Sequence, residues 1–239
     1  MRTSLRALAA LLTYPTAEML GALPELRQAL AADAELAPAM PGLHRLLMDL
    51  ANSDLLDLEE EHVALFERSR NLSLNLFEHV HGDSRERGPA MVELNGIYAE
   101  AGLEATSGEL PDYLPMMLEY AAQEPQRGAE LLGNAWPVLD LLHGRLAARR
   151  SAYAALLHAA LLVAGRQPGT VPLSAEPEPT LAELDATWAE APVEFGQAAD
   201  PAAECGVDAL AAKLRAATRT ANPPPPRRTE FRRVAASQG

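Results

Sequence analysis

Leucines recur at every third or fourth position over long stretches of the chain, and this spacing predicts α-helices. The clearest stripes are Leu5, Leu8 and Leu12; Leu20, Leu23, Leu26 and Leu30; and Leu43, Leu46, Leu47 and Leu50. Breaks are predicted at Pro15, Pro38, Pro41 and Asn52-Ser53, which supply loop or cap chemistry. No alternating strand pattern of useful length accompanies them. We therefore expect an all-α fold.

The later helices are longer and more apolar. In the stretch AELLGNAWPVLDLLHGRLAARR, Pro137 must either kink one helix or begin a new one. The next stretch, SAYAALLHAALLVAG, has Ser151 as an N-cap and Gly165 as a C-terminal stop. It is apolar nearly all round, which predicts a central helix. Residues 1–166 are thus expected to form one compact multi-helix domain.

The character of the chain changes after Gly165. Ten of the 19 prolines lie between residue 167 and the end, among acidic and then basic residues. Such sequence buries too little surface to offset its ordering entropy. We expect residues 167–239 to be a largely disordered tail, in which residues 184–196 can dock as a short segment.

Charge and composition restrict the partners. The net charge is −13, and residues 1–212 hold 13 basic against 32 acidic residues. Such a body repels nucleic acid and anionic membranes and attracts a basic partner. Cys205 is the one cysteine, so neither a disulfide within the chain nor a cysteine-based zinc site is expected. With no apolar run of roughly 18 residues, we expect a cytoplasmic protein without membrane insertion and without a nucleic-acid partner.

The segment LFEHVHGDSRERG carries two histidines, two glutamates and an aspartate. One hypothesis is a metal-dependent hydrolase that uses Glu78, His79, His81 and Asp83. The helical spacing argues against it, because residues two apart on a helix point about 200° away from each other. The zincin spacing H-E-x-x-H is absent, and so is a serine or cysteine nucleophile motif. We expect neither metal ligands nor catalytic residues.

A helix end accounts for more of this segment. Gly82 stands where a helix C′ glycine belongs, and His81 falls in the last turn, near the negative end of the helix. Asp83 and Glu86 have the spacing of a capping box for the next helix. The segment is therefore predicted to form a tight helix–turn–helix connection.

A family resemblance adds to this picture. The stretch LFERSRNLSLNLFEHVHGDSRERGPAMVELNGIYAEAGLE, followed by ELPDYLPMMLEYAA, resembles the NarJ family, the assembly chaperones of respiratory nitrate reductase. WAEAPVEFG is similar to a short C-terminal stretch of that family, so the resemblance covers roughly residues 3–196. It implies a compact all-helical domain of the wider TorD-like class of molybdoenzyme chaperones.

The resemblance also implies a function. Family members bind the cofactor-free catalytic α subunit, including its N-terminal segment. They keep it competent for molybdenum cofactor insertion, time its attachment to the membrane anchor, and are absent from the finished reductase. We expect no stably bound cofactor here, only transient contact with the molybdenum cofactor through the client. One departure is Tyr113, which stands where the wider class often has a histidine after its aspartate.

The region around Pro111 suggests where a client peptide binds. Asp112 is predicted to cap the helix that follows it. Met116 and Met117 are consecutive and cannot share a helix face, so one is expected to be exposed at a groove for an amphipathic client helix. The predicted groove residues are Phe77, His79, His81, Asp112, Tyr113, Met116, Met117, Glu119 and Tyr120.

A third hypothesis is an adaptor protein whose function lies in the tail. The proline run Pro223–Pro226 could act as a polyproline ligand of an adaptor. It has four prolines and flanking arginines but no clear P-x-x-P context.

Overall fold

The computed structural model describes residues 2–68, 70–82, 84–105, 108–169 and 231–233. These residues are mainly helical, which confirms the predicted all-α class. The α-helices are α1 (Thr3–Leu12), α2 (Ala17–Gly21), α3 (Leu23–Ala31), α4 (Met40–Asn52), α5 (Leu55–His62), α6 (Leu76–His81), α7 (Arg87–Glu100), α8 (Leu114–Gln123), α9 (Pro125–Asn134), α10 (Trp136–Ala148) and α11 (Ala154–Val163). Short 3₁₀ turns cover Ala34–Ala39 and Arg70–Leu72, and a π turn covers Val63–Glu67.

The main hydrophobic core surrounds α11. This helix packs against α10, α4, α9 and α1, and most of its side chains are buried, as the apolar sequence predicts. On the other side, α1 packs against both α8 and α3. The leucine stripes of α1 and α4 point into this core. Burial of these stripes is the main source of the domain's stability.

Caps, prolines and breaks in the leucine stripes define several helix boundaries. The Asp54 carboxylate accepts a hydrogen bond from the Leu56 N–H at 2.9 Å and caps α5. Pro137 lies in the first turn of α10, so the proline begins a new helix rather than kinking one. The predicted stripe from Leu20 to Leu30 is divided, because α2 ends at Gly21 and α3 begins at Leu23.

Two close contacts fix the positions of neighbouring segments of the helical domain. Gly128 of α9 lies directly against the Ala121 backbone and side chain of α8, so there is no room for a Cβ. The Arg2 side chain pairs with Asp33 at 2.6 Å, and the Ser4 hydroxyl donates to the same carboxylate. Partial burial raises the pKa of Asp33, but the hydrogen bonds from Ser4 and Arg2 outweigh it, so the pKa lies below its ordinary value.

A second, smaller hydrophobic cluster lies beside the main core. Its buried members are Leu94, Tyr98, Leu103, Met116 and Tyr120. Strand β1 (Leu103–Ala105) contributes to it and pairs antiparallel with β2 (Phe231–Arg233). The register places Ala105 opposite Phe231 and Leu103 opposite Arg233.

The strand pair was not predicted from the sequence. It places three tail residues against the helical domain. Apart from these and residues 167–169, the predicted tail 167–239 lies outside the described residues, and so does the docking segment 184–196. The boundary near residue 166 therefore stays a prediction. Across the described part of the chain, the helices are too short or too polar to cross a membrane.

Candidate functional site

The predicted site centres on two chain segments that run side by side, which we call the corner: residues 73–82 and 110–114. The Leu114 N–H donates to the Leu74 carbonyl at 2.8 Å, and the Leu76 N–H donates to the Asp112 carbonyl at 3.1 Å. Asn75 and Tyr113 form a β-bridge between these bonds. The start of α6 is thus attached to the start of α8 by the backbone itself.

Asp112 strengthens this attachment. Its side chain is fully buried, and its Oδ2 accepts a hydrogen bond from the Phe77 N–H at 2.9 Å. The prediction that Asp112 caps its own helix is therefore wrong, since it caps α6, and α8 has Tyr113 at its N-cap without a side-chain hydrogen bond. Burial raises the pKa of Asp112, while the Phe77 N–H and the charge of Arg87 oppose the shift only in part.

The two histidines of the corner have different surroundings. His79 Nε2 lies 2.8 Å from the Ser73 carbonyl oxygen, so this nitrogen carries the proton and donates. Burial lowers the pKa of His79, and the nearby Arg145 adds to that effect. The His81 ring instead lies edge-on to Phe77, with centroids 5.6 Å apart. The corner therefore holds His79 as a neutral hydrogen-bond donor that joins α6 to the segment before it.

The helix end has the predicted form. Gly82 follows α6 with a φ of 52°, a region that favours glycine. Asp83, the predicted cap of the next helix, lies outside the described residues, and the Glu86 N–H bonds to the Ser84 hydroxyl at 3.1 Å. An ion pair between Arg87 and Glu78 at 3.3 Å joins α6 to the first residue of α7.

The predicted groove residues of α8 are mostly buried. Met116 and Met117 are each 1% exposed and Tyr120 is fully buried, so the expectation that one methionine is exposed at a groove is wrong for this structure. Met117 belongs to the main core, whereas Met116 and Tyr120 belong to the second cluster. Because α8 lies between two clusters, both of its methionine faces are covered.

Tyr113 and Glu119 complete the predicted set. Tyr113 is partly buried and packs against both clusters, and burial raises its pKa, so its phenol stays neutral. Glu119 pairs with Arg6 of α1 at 3.4 Å and has only 13% of its side chain exposed. The structure thus brings Phe77, His79, His81, Asp112 and Tyr113 together in the corner. Glu119 is directed toward α1.

Two apolar side chains of the corner lie open to solvent and were not predicted as site residues from the sequence. Val80 is 61% exposed and Leu110 is 45% exposed. Val80 has the spacing of a buried stripe with Leu76, but α6 ends at His81, one residue later. Gly82 was the sequence signal for the exposure of Val80. A glycine stop there leaves a helix of only six residues, which buries little of its last turn.

A separate pocket of about 250 Å³ lies between α4, α5 and the turn from α10 to α11. Its charged lining includes Arg45, Asp49, Glu61 and Arg150. No residue of the corner lines it, and sequence reasoning did not identify it.

A metal centre finds no support in this geometry. His79 is bonded to a carbonyl and His81 faces Phe77. Over the described ranges, no three or more histidine, cysteine, aspartate or glutamate side chains are grouped to hold a metal ion. The polyproline run of the adaptor hypothesis lies outside these ranges.

Comparison with known proteins decides the family. The family model described as nitrate reductase delta subunit matches residues 25–161. The chain belongs to the nitrate reductase delta subunit family. The predicted family membership is thereby confirmed, since NarJ proteins are among the relatives of this chain.

Relatives from two bacteria resemble this chain over most of their length. The nitrate reductase molybdenum cofactor assembly chaperone NarJ of Escherichia coli strain K12 is 41% identical over 212 residues, covering 86% of this chain and 88% of NarJ. NarJ of Bacillus subtilis strain 168 is 31% identical over 156 residues, covering 65% of this chain and 84% of that relative. Both are named as chaperones, in agreement with the expectation that this chain is not an enzyme.

A solved structure supports the fold. The crystal structure of a protein assigned to redox enzyme maturation in Archaeoglobus fulgidus matches with a TM-score of 0.51. The two chains are 21% identical, and the match covers 67% of this chain and 91% of the other. At this identity the likeness concerns the fold.

Proposed function

We propose that this protein is an assembly chaperone for respiratory nitrate reductase. It binds the cofactor-free catalytic α subunit, including the N-terminal segment, and keeps it competent for molybdenum cofactor insertion. It also times attachment to the membrane anchor and leaves before the enzyme is complete. The observation that carries the proposal is the 41% identity with an E. coli assembly chaperone over 86% of this chain.

The corner is the surface that we propose for client contact. Val80 exposes apolar surface next to His79 and His81 in the sequence of α6, and Leu110 exposes apolar surface at the start of the paired segment. Exposed apolar side chains that are held on a rigid backbone favour binding, because little ordering entropy is lost. The net charge of −13 would draw basic client segments toward this surface.

The buried residues of the predicted groove have a supporting role in this proposal and are not contact residues. Asp112, Met116, Met117 and Tyr120 are buried, so their side chains hold α6 and α8 in place and do not touch the client. The chaperone itself holds no cofactor, and any contact with the molybdenum cofactor is transient and passes through the client. We place its action in the cytoplasm.

A gene deletion tests the function. In the host strain without this gene, the catalytic subunit should accumulate with a reduced molybdenum content and low nitrate reductase activity. Restoring the gene should restore both. Full molybdenum content and activity in the deletion strain would contradict the proposal.

A matched pair of surface variants tests the place of contact. We expect Val80→Glu to weaken binding of the cofactor-free catalytic subunit about tenfold, because it puts a charge on the apolar surface of the corner. Val92→Glu on α7 is the control, since Val92 is 72% exposed and lies outside the corner. Equal affinities of the two variants would exclude the corner as the contact surface.

A further inference from the structure

Strand β1 is paired with a segment from the far end of the chain. Its three residues, Leu103–Ala105, pair along one edge with Phe231–Arg233. An open strand edge presents unpaired backbone N–H and C=O groups and can pair with another extended chain. Here this chain's own C-terminal segment supplies that partner.

The same segment covers the second hydrophobic cluster. The Phe231 ring lies 4.9 Å from the Tyr98 ring at an interplanar angle of 67°, an edge-to-face contact. Tyr98 in turn lies 5.1 Å from Tyr120 of α8. Phe231 is only partly buried, so it forms the outer layer of an aromatic stack whose inner members are buried.

The strand pairing that attaches the C-terminal segment is short, with three residues on each side. A strand of three residues makes few ladder bonds, and a two-stranded pairing of this size is marginal by itself. In contrast, the underlying Tyr98 is fixed, since its hydroxyl donates to the Pro111 carbonyl at 2.8 Å. Tyr98 is therefore held in place by the domain, whereas the segment with Phe231 is held by a short strand pairing and a ring contact.

Tyr98 also connects this surface to the corner. Pro111 directly precedes Asp112, whose carboxylate holds α6. A chain that occupies the β1 edge therefore lies on the same rigid framework as the proposed client contact.

We propose that the β1 edge and the Tyr98 ring form a binding slot for an extended peptide segment that carries an aromatic residue. Phe231–Arg233 occupies the slot in the free protein, and an extended segment of the client displaces it by adding a strand to β1. The identity of the partner rests on the function proposed above, whereas the slot rests on the β1–β2 pairing and the Tyr98–Phe231 contact.

A peptide of this chain tests the slot directly. The probe is PRRTEFRRVAASQG, residues 226–239, with a fluorescent label, added to the full-length protein. The Phe231→Ala protein should bind it about tenfold more tightly than the wild type, because the internal competitor is weakened. Phe231→Tyr keeps an aromatic ring and should resemble the wild type, as should Phe195→Ala, which removes a different tail phenylalanine.

The peptide must also depend on its aromatic residue. Replacing its phenylalanine by alanine should abolish binding to the Phe231→Ala protein. Equal binding by wild-type and Phe231→Ala protein, or binding that does not need the aromatic residue, would overturn the slot. Circular dichroism of each variant would check that the helical domain is intact.

A second titration tests displacement by the client. Phe231→Ala should raise the affinity for the cofactor-free catalytic subunit several-fold, because less of the protein is closed by its own segment. Unchanged affinity, with tight binding by the wild type, would overturn displacement while leaving the proposed function intact. No binding of the client by either protein would overturn the proposed function, and the peptide titration would still decide on the slot.

Discussion

Asp112→Ala is the most informative single change in the corner. The substitution removes the acceptor of the Phe77 N–H bond, which spans 35 positions in the sequence, and leaves that N–H inside a partly buried site. Loss of a helix cap costs about 0.5–2 kcal/mol, and an unsatisfied buried donor costs about 1–3 kcal/mol. Part of this is offset, because the buried carboxylate itself is unfavourable, as its raised pKa indicates. We expect a net loss of about 2 kcal/mol in the free energy of unfolding at neutral pH.

Asp54→Ala is the matched control. Its carboxylate caps α5 with the same bond length, 2.9 Å, but locally and in an exposed position. Water can replace that bond, so the expected loss is about 0.5–1 kcal/mol. Urea unfolding followed by circular dichroism measures both variants. An Asp112→Ala protein no less stable than Asp54→Ala would refute the argument that Asp112 holds the corner.

The pH dependence provides a second check on Asp112. Because its folded-state pKa is raised, the folded protein binds this proton more strongly than the unfolded chain does. Its contribution is therefore greatest below the ordinary aspartate pKa and is lost as the pH rises through the raised value. The stability of the wild type relative to Asp112→Asn should fall across that window, and a rise would contradict the assignment.

Four further changes test packing, backbone conformation and charge. Gly128→Ala should destabilise the domain by about 1–3 kcal/mol, since its Cβ would overlap Ala121, whereas Gly96→Ala should stabilise it by about 0.5–1 kcal/mol in the same urea assay. Gly82→Ala, at a φ of 52° and a ψ of −126°, should cost about 1–3 kcal/mol. Asp33→Asn should be destabilising at neutral pH, and its difference from the wild type should shrink as the pH falls below the ordinary aspartate pKa and through the lowered folded-state pKa. Thermal unfolding at several pH values checks it.

Local signals in the sequence predicted much of the helical framework. The leucine stripes of α1 and α4 and the glycine stop at Gly82 depend on residues within a few positions of each other. Such patterns report local geometry directly. The family was also predictable, because the motif around His79 and Pro111 is long and specific.

Contacts between segments that are distant in the sequence could not be predicted from these local patterns. Asp112 has the sequence context of a cap for α8, yet it bonds to Phe77 because the two chain segments are paired. Met116 and Met117 were correctly assigned to different faces, but the periodicity of one helix does not show that both faces are covered. The pairing of β2 with β1 depends on a tail segment with no strand pattern of useful length.

Formation of a complex with the immature client is the central claim, and size-exclusion chromatography with light scattering tests it most directly. The full-length protein would be mixed with the catalytic subunit of the host's nitrate reductase, once in its cofactor-free form and once loaded with molybdenum cofactor. The account predicts a stable complex of defined stoichiometry with the cofactor-free subunit and none with the loaded one. Absence of a complex with both forms, or an equally stable complex with the loaded subunit, would contradict it.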